Sequence, residues 1–595
     1  MIEVTPTANV RLPFRAGDFA TLAQGLDYAA QGDTGVNFFS SRGSLEIALP
    51  YRALRARALD LGARLVATGL RRGDRIGIIA ETSPDFLAAF FACQYAGFVP
   101  VPLPLSINFG GKDAYVERLR GMLDAAGARA AMAGPELVGI LREAVVGTEV
   151  QLTVTAAELT SWPASDRPLQ PLGADDVCYI QYSSGSTSFP RGVLVTQAAL
   201  AANARAIAVD GLDLRPGDRC TSWLPLYHDM GLVGCCLTPV MTQISVDYLS
   251  TTAFARRPLL WLELISRYRG TISFGPTFGF ELCARRAANG TARDLDLSAW
   301  RVAGIGGEMI RPQALAAFAD TFAPMGFDAR AFVPSYGMAE ATLAVTFNPL
   351  GRGVRVDRVA KGDRFERQHL ALPAGETVPP TASRCFVVCG APMPGYAIEI
   401  RDEDGTVLPE RHVGRICIKG PSLMQGYFEN PGATAAVLRD DGWLDSGDMG
   451  YLIGGELVVT GRTKDLIIVG GRNIWPQDIE WAVEKLDGVR AGDVAAFSVG
   501  DDQDRERLVV VVECRLQKPA EQANLRQQVT AVVSRTAGVE CEVVLAAPRS
   551  LTFTTSGKLS RAAARDHYQR GVLRDVETAT AALAIPERPL LAEAS

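Results

Sequence analysis

Tyr179-Ile180-Gln181-Tyr182-Ser183-Ser184-Gly185-Ser186-Thr187-Ser188-Phe189-Pro190-Arg191-Gly192 is a run of small hydroxyl residues and glycine, closed by a proline and a cation. Apolar residues 177–180 precede its hydroxyls and Val193-Leu194-Val195 follow, so the run reads as a loop between two strands. Glycine has no Cβ to keep an anion away from main-chain N–H groups, and serine and threonine hydroxyls add donors. Ser183, Ser184, Gly185, Ser186 and Thr187 are therefore candidates to hold phosphate, with Arg191 adding a charge-assisted hydrogen bond. A flexible Ser/Gly linker has a similar composition, but linkers seldom lie between two β-like apolar runs. The pattern G-x-x-x-x-G-K-[ST] occurs nowhere, which disfavours a P-loop NTPase.

Size and composition set the frame. A chain of 595 residues that is 48% hydrophobic is too long for one core and too apolar to be disordered, so two or more domains are expected. A net charge of -6 without a dense Lys/Arg run argues against a nucleic-acid partner. The opening residues show no charged region followed by an apolar one, and no window of about 18 apolar residues suits a bilayer, so a cytoplasmic protein without a transmembrane segment is expected. The 11 cysteines form no paired C-x-x-C arrangement, and Cys235, Cys236, Cys385 and Cys389 read as buried thiols. The 4 histidines, His228, His369, His412 and His567, are not spaced as a metal pair, so zinc is disfavoured and any metal should be a hard ion held by oxygen.

Helical periodicity over residues 51–70 ends at a turn, Arg71-Arg72-Gly73-Asp74, and an apolar run follows over 76–80. A helix over 84–96, Gly97 and an extended stretch over 99–102 continue the rhythm, which recurs through 113–127. This alternation predicts an α/β fold with helices covering a sheet, and Ile78 and Phe90 are assigned to packing. Residues 220–231 read as a strand running into a turn, followed by an apolar helix over 232–241. His228 on that turn is either a structural hydrogen-bonding residue or a ligand-facing one, since α/β proteins collect ligands at strand ends. Phe274, Phe278 and Phe280 are either core or the wall of an apolar substrate tunnel.

Two glycine-bearing segments come next, each after an apolar run. Gly304-Ile305-Gly306-Gly307-Glu308 lacks the order of a dinucleotide-binding turn. In Ser335-Tyr336-Gly337-Met338-Ala339-Glu340 the tyrosine offers a face for a base and the glutamate a carboxylate for Mg²⁺ on phosphates; each segment alone could be a turn. Residues 351–382 break into charged and turn-forming residues and read as an insertion or a lid. Short β-like runs over 386–389, 398–401 and 413–419 suggest a small β-rich subdomain. In the acidic turn Asp445-Ser446-Gly447-Asp448, Asp448 is a candidate for holding a ribose diol. Gly461-Arg462-Thr463-Lys464-Asp465, between strand-like runs over 457–460 and 466–469, looks like a domain boundary. Beyond it a helix over 477–486, strands over 494–499 and 508–514 and a helix through 534 describe a small α/β domain. Near its end Lys558 stands on the polar turn Thr554-Thr555-Ser556-Gly557-Lys558; a surface lysine is ordinarily idle, and only context singles this one out.

Taken together, residues 182–192, 224–231, 304–308, 336–342, 445–448, 461–480 and 556–558 resemble, in order and spacing, the signature segments of the adenylate-forming superfamily of acyl-CoA synthetases, peptide-synthetase adenylation domains and luciferases. The resemblance spans nearly the whole chain. Residues 223–232, 256–262, 388–390, 461–465 and 473–480 and the inserted 351–382 are most similar to the fatty acyl-AMP ligases. That likeness implies a large multi-subdomain adenylation domain over 1–463, a small mobile C-terminal domain over 464–578 and a tail over 579–595. It implies ATP and Mg²⁺, a fatty acid converted to acyl-AMP and diphosphate, and delivery of the acyl group to an acyl carrier protein, as in polyketide or non-ribosomal peptide synthesis. Ser183, Ser184, Gly185, Ser186 and Thr187 would hold the β- and γ-phosphates, and Thr187 with Glu340 would place the metal. Tyr336 would stack on adenine, lined by Gly306, Gly307, Glu308, Ser335, Gly337, Met338 and Ala339, while Asp448 and Arg462 would hold the ribose. Lys558 would reach the bridging and carboxylate oxygens, His228 would lie near the carboxylate, and Lys464 would be the hinge. The family's insertion packs on the large domain and opposes transfer to coenzyme A. Two residues depart from the pattern: Ser188 stands for a usual glycine, and Arg191 for a usual lysine, a planar fork in place of a point charge. The rival readings are an acyl-CoA synthetase and a nucleotide-binding homologue that has lost its chemistry.

Overall fold

The structure, a computed structural model, describes residues 12–105, 111–183, 190–287, 294–379, 382–469, 472–500, 506–554 and 558–576. These residues form two compact units. The first takes in those up to 183, 190–360 and 371–460; the second takes in 361–370 and those from 461 onward.

In the first unit the helix Pro84–Ala96 shows how local sequence sets the frame. Ser83 accepts a hydrogen bond from the Phe86 amide, proline sits in the first turn, and Gly97 at φ 79° closes the last turn. Every side chain from Phe86 to Ala96 is buried, so this helix lies inside the core rather than over it. It follows the strand Arg75–Ile79, which pairs in parallel with Val99–Leu103 and Ala128–Met132, and Ala128–Met132 pairs in parallel with Leu152–Val154. The α/β alternation expected over this stretch is present.

A second sheet has nine strands, in the order Ala391–Pro392, Ala344–Phe347, Phe332–Gly337, Val302–Ile305, Ile272–Gly275, Arg219–Ser222, Ser245–Leu249, Gly35–Phe39, Leu45–Pro50. From Phe332–Gly337 to Gly35–Phe39 neighbouring strands run parallel, so their carboxyl ends share one edge, where α/β sheets gather ligands. The apolar helix expected from residue 232 begins two residues earlier and takes π geometry over Met230–Leu237. Gly231 is required there, because a Cβ on it would stand 2.2 Å from the Pro225 carbonyl oxygen.

Phe280 is core: its ring packs against Trp261, Trp300, Phe318 and Phe332. Phe274 is buried over Gly304, whose Cβ would stand 2.0 Å from the phenylalanine ring, and Phe278 is exposed at the edge of Trp223. All 11 cysteines are free thiols; Cys235, Cys236 and Cys389 are buried and Cys385 is half-buried. Among the described residues no helix is long and apolar enough to cross a membrane.

The β-rich region is a four-stranded sheet in the order Ala397–Arg401, Gly414–Lys419, Leu444–Ile453, Glu456–Arg462. The run expected over 386–389 is not one of its strands. Instead Ser383–Val387 pairs with Val356–Ala360, inside the stretch read as an insertion without strands. The charged residues hid that strand: Asp357 and Arg358 stand side by side between Val356 and Val359, and Asp357 pairs with Arg411.

The second unit is built on the antiparallel pair Val494–Gly500 and Glu506–Glu513, with Cys541–Ala546 parallel to the latter. Leu508, Val510 and Val512 pack into one apolar cluster and Val509 and Val511 into another, which is why 508–512 reads as an unbroken apolar run. Residues 361–370 belong here, not with the large unit where the resemblance places the insertion. Phe365 is buried against Trp475 with ring centroids 4.8 Å apart. Glu366 receives both Nε and Nη2 of Arg472, and the Asn473 amide nitrogen lies 2.8 Å from His369 Nε2. The insertion thus finds its partners on the strand Arg472–Ile474 and the tryptophan that follows it.

One buried amide ties the first unit together around its loops. Asn203 donates to the Ala344 carbonyl, the Tyr396 hydroxyl and the Ser422 hydroxyl at 2.8, 2.9 and 3.1 Å, and accepts from the Ala344 amide. Asn203→Ala leaves several buried polar groups without partners and should lower stability by about 2–4 kcal/mol. An unchanged urea midpoint of the unit's unfolding transition would show that water or repacking replaces the amide.

Candidate functional site

The strands that flank the hydroxyl-rich run pair with each other: Val177–Tyr182 runs antiparallel to Gly192–Thr196, and the Ser183 amide donates to the Arg191 carbonyl at 3.0 Å. Ser184, Gly185, Ser186 and Thr187 lie outside the described residues, as does Ser188. Arg191 stands with its guanidinium carbon 5.2 Å above the ring of Tyr427, on the short strand Gly426–Tyr427 that extends the hairpin. The Tyr427 hydroxyl donates to Glu340 Oε1 at 2.8 Å. Burial first, and then the Glu340 carboxylate, push the tyrosine pKa well up, so its proton stays in this bond.

Glu340 is only 8% exposed and sits on a strained piece of backbone. Thr342 has φ 69° and ψ -56°, and the Leu343 amide donates to the Ala341 carbonyl at 2.9 Å, which together make a γ-turn of positive φ at a β-branched residue. The turn is held from three sides. Thr342 Oγ1 donates to the Ser422 carbonyl, Ser422 Oγ to the Ala341 carbonyl, and the Met424 amide to the Glu340 carbonyl, each at 2.8 Å. Strain of this kind persists where surroundings over-determine it, and it clusters at working sites.

The same strand end delivers Tyr336, whose hydroxyl donates to Asp448 Oδ2 at 2.8 Å. Asp448 is held in turn by its own amide on Ser446 Oγ, while Ser446 donates to the Ile416 carbonyl. Gly337 cannot be replaced without moving backbone, because its Cβ would stand 1.8 Å from the Leu343 carbonyl oxygen. Ser335 donates to the Ile305 carbonyl and packs against Gly306, buried at the end of the neighbouring strand. Gly307 is exposed at φ 82°, and Met338 and Ala339 lead into Glu340. Glu308 is half-buried and accepts the Phe278 amide at 3.1 Å, at the start of the helix Thr277–Ala287. At the third strand end His228 Nδ1 lies 2.6 Å from Asp229 Oδ1 and 3.4 Å from the Met230 amide nitrogen.

Thus the structure brings Tyr336 to Asp448, and Arg191 through Tyr427 to Glu340. Sequence reasoning missed Tyr427, Ser422 and Asn203; only Tyr427 carried a signal, as an aromatic next to a glycine after a β-like run. Arg462, Lys464 and Lys558 are carried by the second unit. Arg462 and Lys464 are exposed, the latter on the single turn Thr463–Asp465. Lys558 is joined to Thr554, whose amide donates to the lysine carbonyl at 2.7 Å, and its own amide donates to Thr554 Oγ1 at 3.2 Å.

Among the described residues no cluster of three or more His, Cys, Asp and Glu could hold a metal by itself. Glu340, a carboxylate fixed by a phenol and by its backbone, is the hard-oxygen type of donor that Mg²⁺ takes when substrate phosphates supply the remaining ligands.

The sequence profile of the AMP-binding enzyme family matches residues 35–428. A protein of Caulobacter vibrioides described as a putative acyl-CoA synthetase is 48% identical over 577 residues, covering 96% of this chain and 99% of its own. A medium-chain fatty-acid–[acyl-carrier-protein] ligase of Moorena producens is 33% identical, covering 93% of this chain and 96% of its own. A solved structure from a study of fatty acyl-adenylate ligases of E. coli and L. pneumophila superposes with a TM-score of 0.89 at 45% identity, over 94% of this chain and 100% of that one.

Proposed function

We propose, on the premise that the chain belongs to the AMP-binding enzyme family and is an AMP-forming acid ligase, that its acid is a fatty acid and its acceptor an acyl carrier protein. In this reaction a carboxylate oxygen bonds to the α-phosphorus of ATP and the bond to diphosphate breaks. Both reactants are anions, so the protein's work is alignment and neutralisation of charge rather than covalent catalysis.

The observation that carries the reading is the pair of tethered acceptors at adjoining strand ends. Tyr336 and Asp448, joined at 2.8 Å, suit a nucleoside: the ring stacks on adenine and the carboxylate accepts from ribose hydroxyls. Arg191, Tyr427 and Glu340 suit the phosphate end, with Ser183 and the hydroxyl run. Glu340, with Thr187, would hold Mg²⁺, which neutralises phosphate charge when bound. Gly306, Gly307, Glu308, Ser335, Gly337, Met338 and Ala339 line the base by their place at the same strand ends. His228 turns toward the carboxylate, and Arg462 contributes a second donor for the ribose. Lys558 supplies an ammonium to the carboxylate and bridging oxygens.

The fatty acid is supported by the names borne by the relatives in Moorena, E. coli and Legionella. The carrier-protein acceptor is supported by residues 361–370. With them in the second unit, the described backbone passes between units at 360/361, 370/371 and 460/461, where a single hinge would cross once. Extra crossings restrict the reorientation that a coenzyme A half-reaction requires. The name of the Caulobacter relative favours the second reading, an acyl-CoA synthetase.

Lys558→Ala should lower fatty-acid-dependent exchange of diphosphate into ATP by about 100-fold or more, the loss of one well-placed charge; wild-type exchange by a folded variant would remove the lysine from the mechanism. Given coenzyme A and, separately, a phosphopantetheinylated carrier protein, the wild type should acylate only the carrier. Phe365→Ala with Glu366→Ala, which frees the insertion from Trp475 and Arg472, should raise acyl-CoA formation. Abundant acyl-CoA from the wild type would favour the second reading.

A further inference from the structure

We propose that Arg561 is a positioning residue that locks the Lys558 loop to the segment Thr463–Asp465, so that the lysine and the entry into the second unit move as one piece. The proposal rests on the role given above to Lys558.

Arg561 opens the helix Arg561–Gln569, three residues after the lysine, and Ser560 caps that helix by accepting from the Ala563 amide. Its guanidinium is directed inward, with the side chain 21% exposed. There Nε and Nη2 donate to the two oxygens of Glu480 at 2.8 and 2.7 Å, and Nη1 donates to Asp465 Oδ2 at 2.6 Å. Glu480, 5% exposed in its side chain, also accepts the Ala496 amide at 3.1 Å, which fixes it to the central strand Val494–Gly500. One planar fork therefore joins four elements: the lysine loop, the helix Pro476–Val483, the sheet and the single turn Thr463–Asp465.

A cation taken this far from water must be matched by charge. Burial acts to lower the Arg561 pKa, and Glu480 and then Asp465 overcome that and raise it, so the group stays charged. Lysine could not substitute, since a point charge cannot present three fixed donors to two carboxylates. The Glu480 half of the arrangement is enough to hold the helix on the sheet. The Asp465 half does something different: it connects the loop to the place where the chain enters the unit. Two hydrogen bonds join Thr554 to Lys558, and Phe553 pairs with Leu559, so a tie at Arg561 bears directly on the position of Lys558. Displacement of a reacting group by about 1 Å costs about 100-fold in rate, which is the scale a positioning residue controls.

Asp465→Asn tests this most cleanly, because it removes one ion pair and leaves the Glu480 fork in place. At saturating ATP and fatty acid it should lower diphosphate exchange about tenfold with the KM for ATP within twofold of wild type, and Arg561→Met should lower it further. Transfer of the acyl group from purified acyl-adenylate to a carrier-protein thiol, which does not call on Lys558, should be unchanged in Asp465→Asn. On a Lys558→Ala background Asp465→Asn should cost nothing more, since groups acting as a unit are not additive. Wild-type exchange in Asp465→Asn, equal losses in both half-reactions, or a loss that adds to that of Lys558→Ala would each overturn the proposal. If Lys558→Ala itself keeps wild-type exchange, the role of the lysine fails first; if it abolishes exchange while Asp465→Asn changes nothing, only the positioning role falls.

Discussion

A carboxylate that is 8% exposed has little water to stabilise it, and much of the first unit is arranged to give Glu340 hydrogen-bond partners and hold it in place. Tyr427 donates to one of its oxygens and carries Arg191 over its ring. The backbone under it bends through a strained γ-turn at Thr342, which Ser422 holds from both its hydroxyl and its carbonyl. Ser422 is itself held by Asn203 and Tyr396, so the network reaches from the helix Gln197–Ala206 to the β-rich region. Each partner restricts the next, and the outcome is a carboxylate fixed in position.

The sequence disclosed what is local. The apolar runs on either side of the hydroxyl residues read correctly as strands, and the rhythm of residues 51–102 read correctly as strand and helix, because periodicity and turn chemistry are encoded within a few residues. It was silent on what is assembled from afar. Asn203, Thr342, Tyr396, Ser422 and Tyr427 lie scattered over more than two hundred positions, and no spacing rule connects them. Arg561 and Asp465 are about a hundred residues apart for the same reason. The strand Val356–Ala360 was missed because its adjacent charges, Asp357 and Arg358, look like a loop until Arg411 is seen to pair with Asp357.

The stretch read as an insertion is divided between the two units. Its flanks stay with the large unit, while Phe365, Glu366 and His369 find their partners on Trp475, Arg472 and Asn473 of the small one. A buried aromatic and a forked ion pair are the kind of attachment that persists through motion. On this account the acceptor is chosen by how freely the second unit can turn, and the lysine's delivery by how firmly Arg561 binds its loop to the point of entry.

The central claim is that the nucleotide sits at the strand ends carrying Tyr336 and Glu340. A crystal structure with a non-hydrolysable fatty acyl-sulfamoyl adenosine tests it most directly. The account predicts adenine on the face of Tyr336 and the ribose hydroxyls on Asp448, with the acyl-sulfamate directed toward His228. An inhibitor seated elsewhere, leaving the Tyr336–Asp448 hydrogen bond and its surroundings untouched, would contradict it.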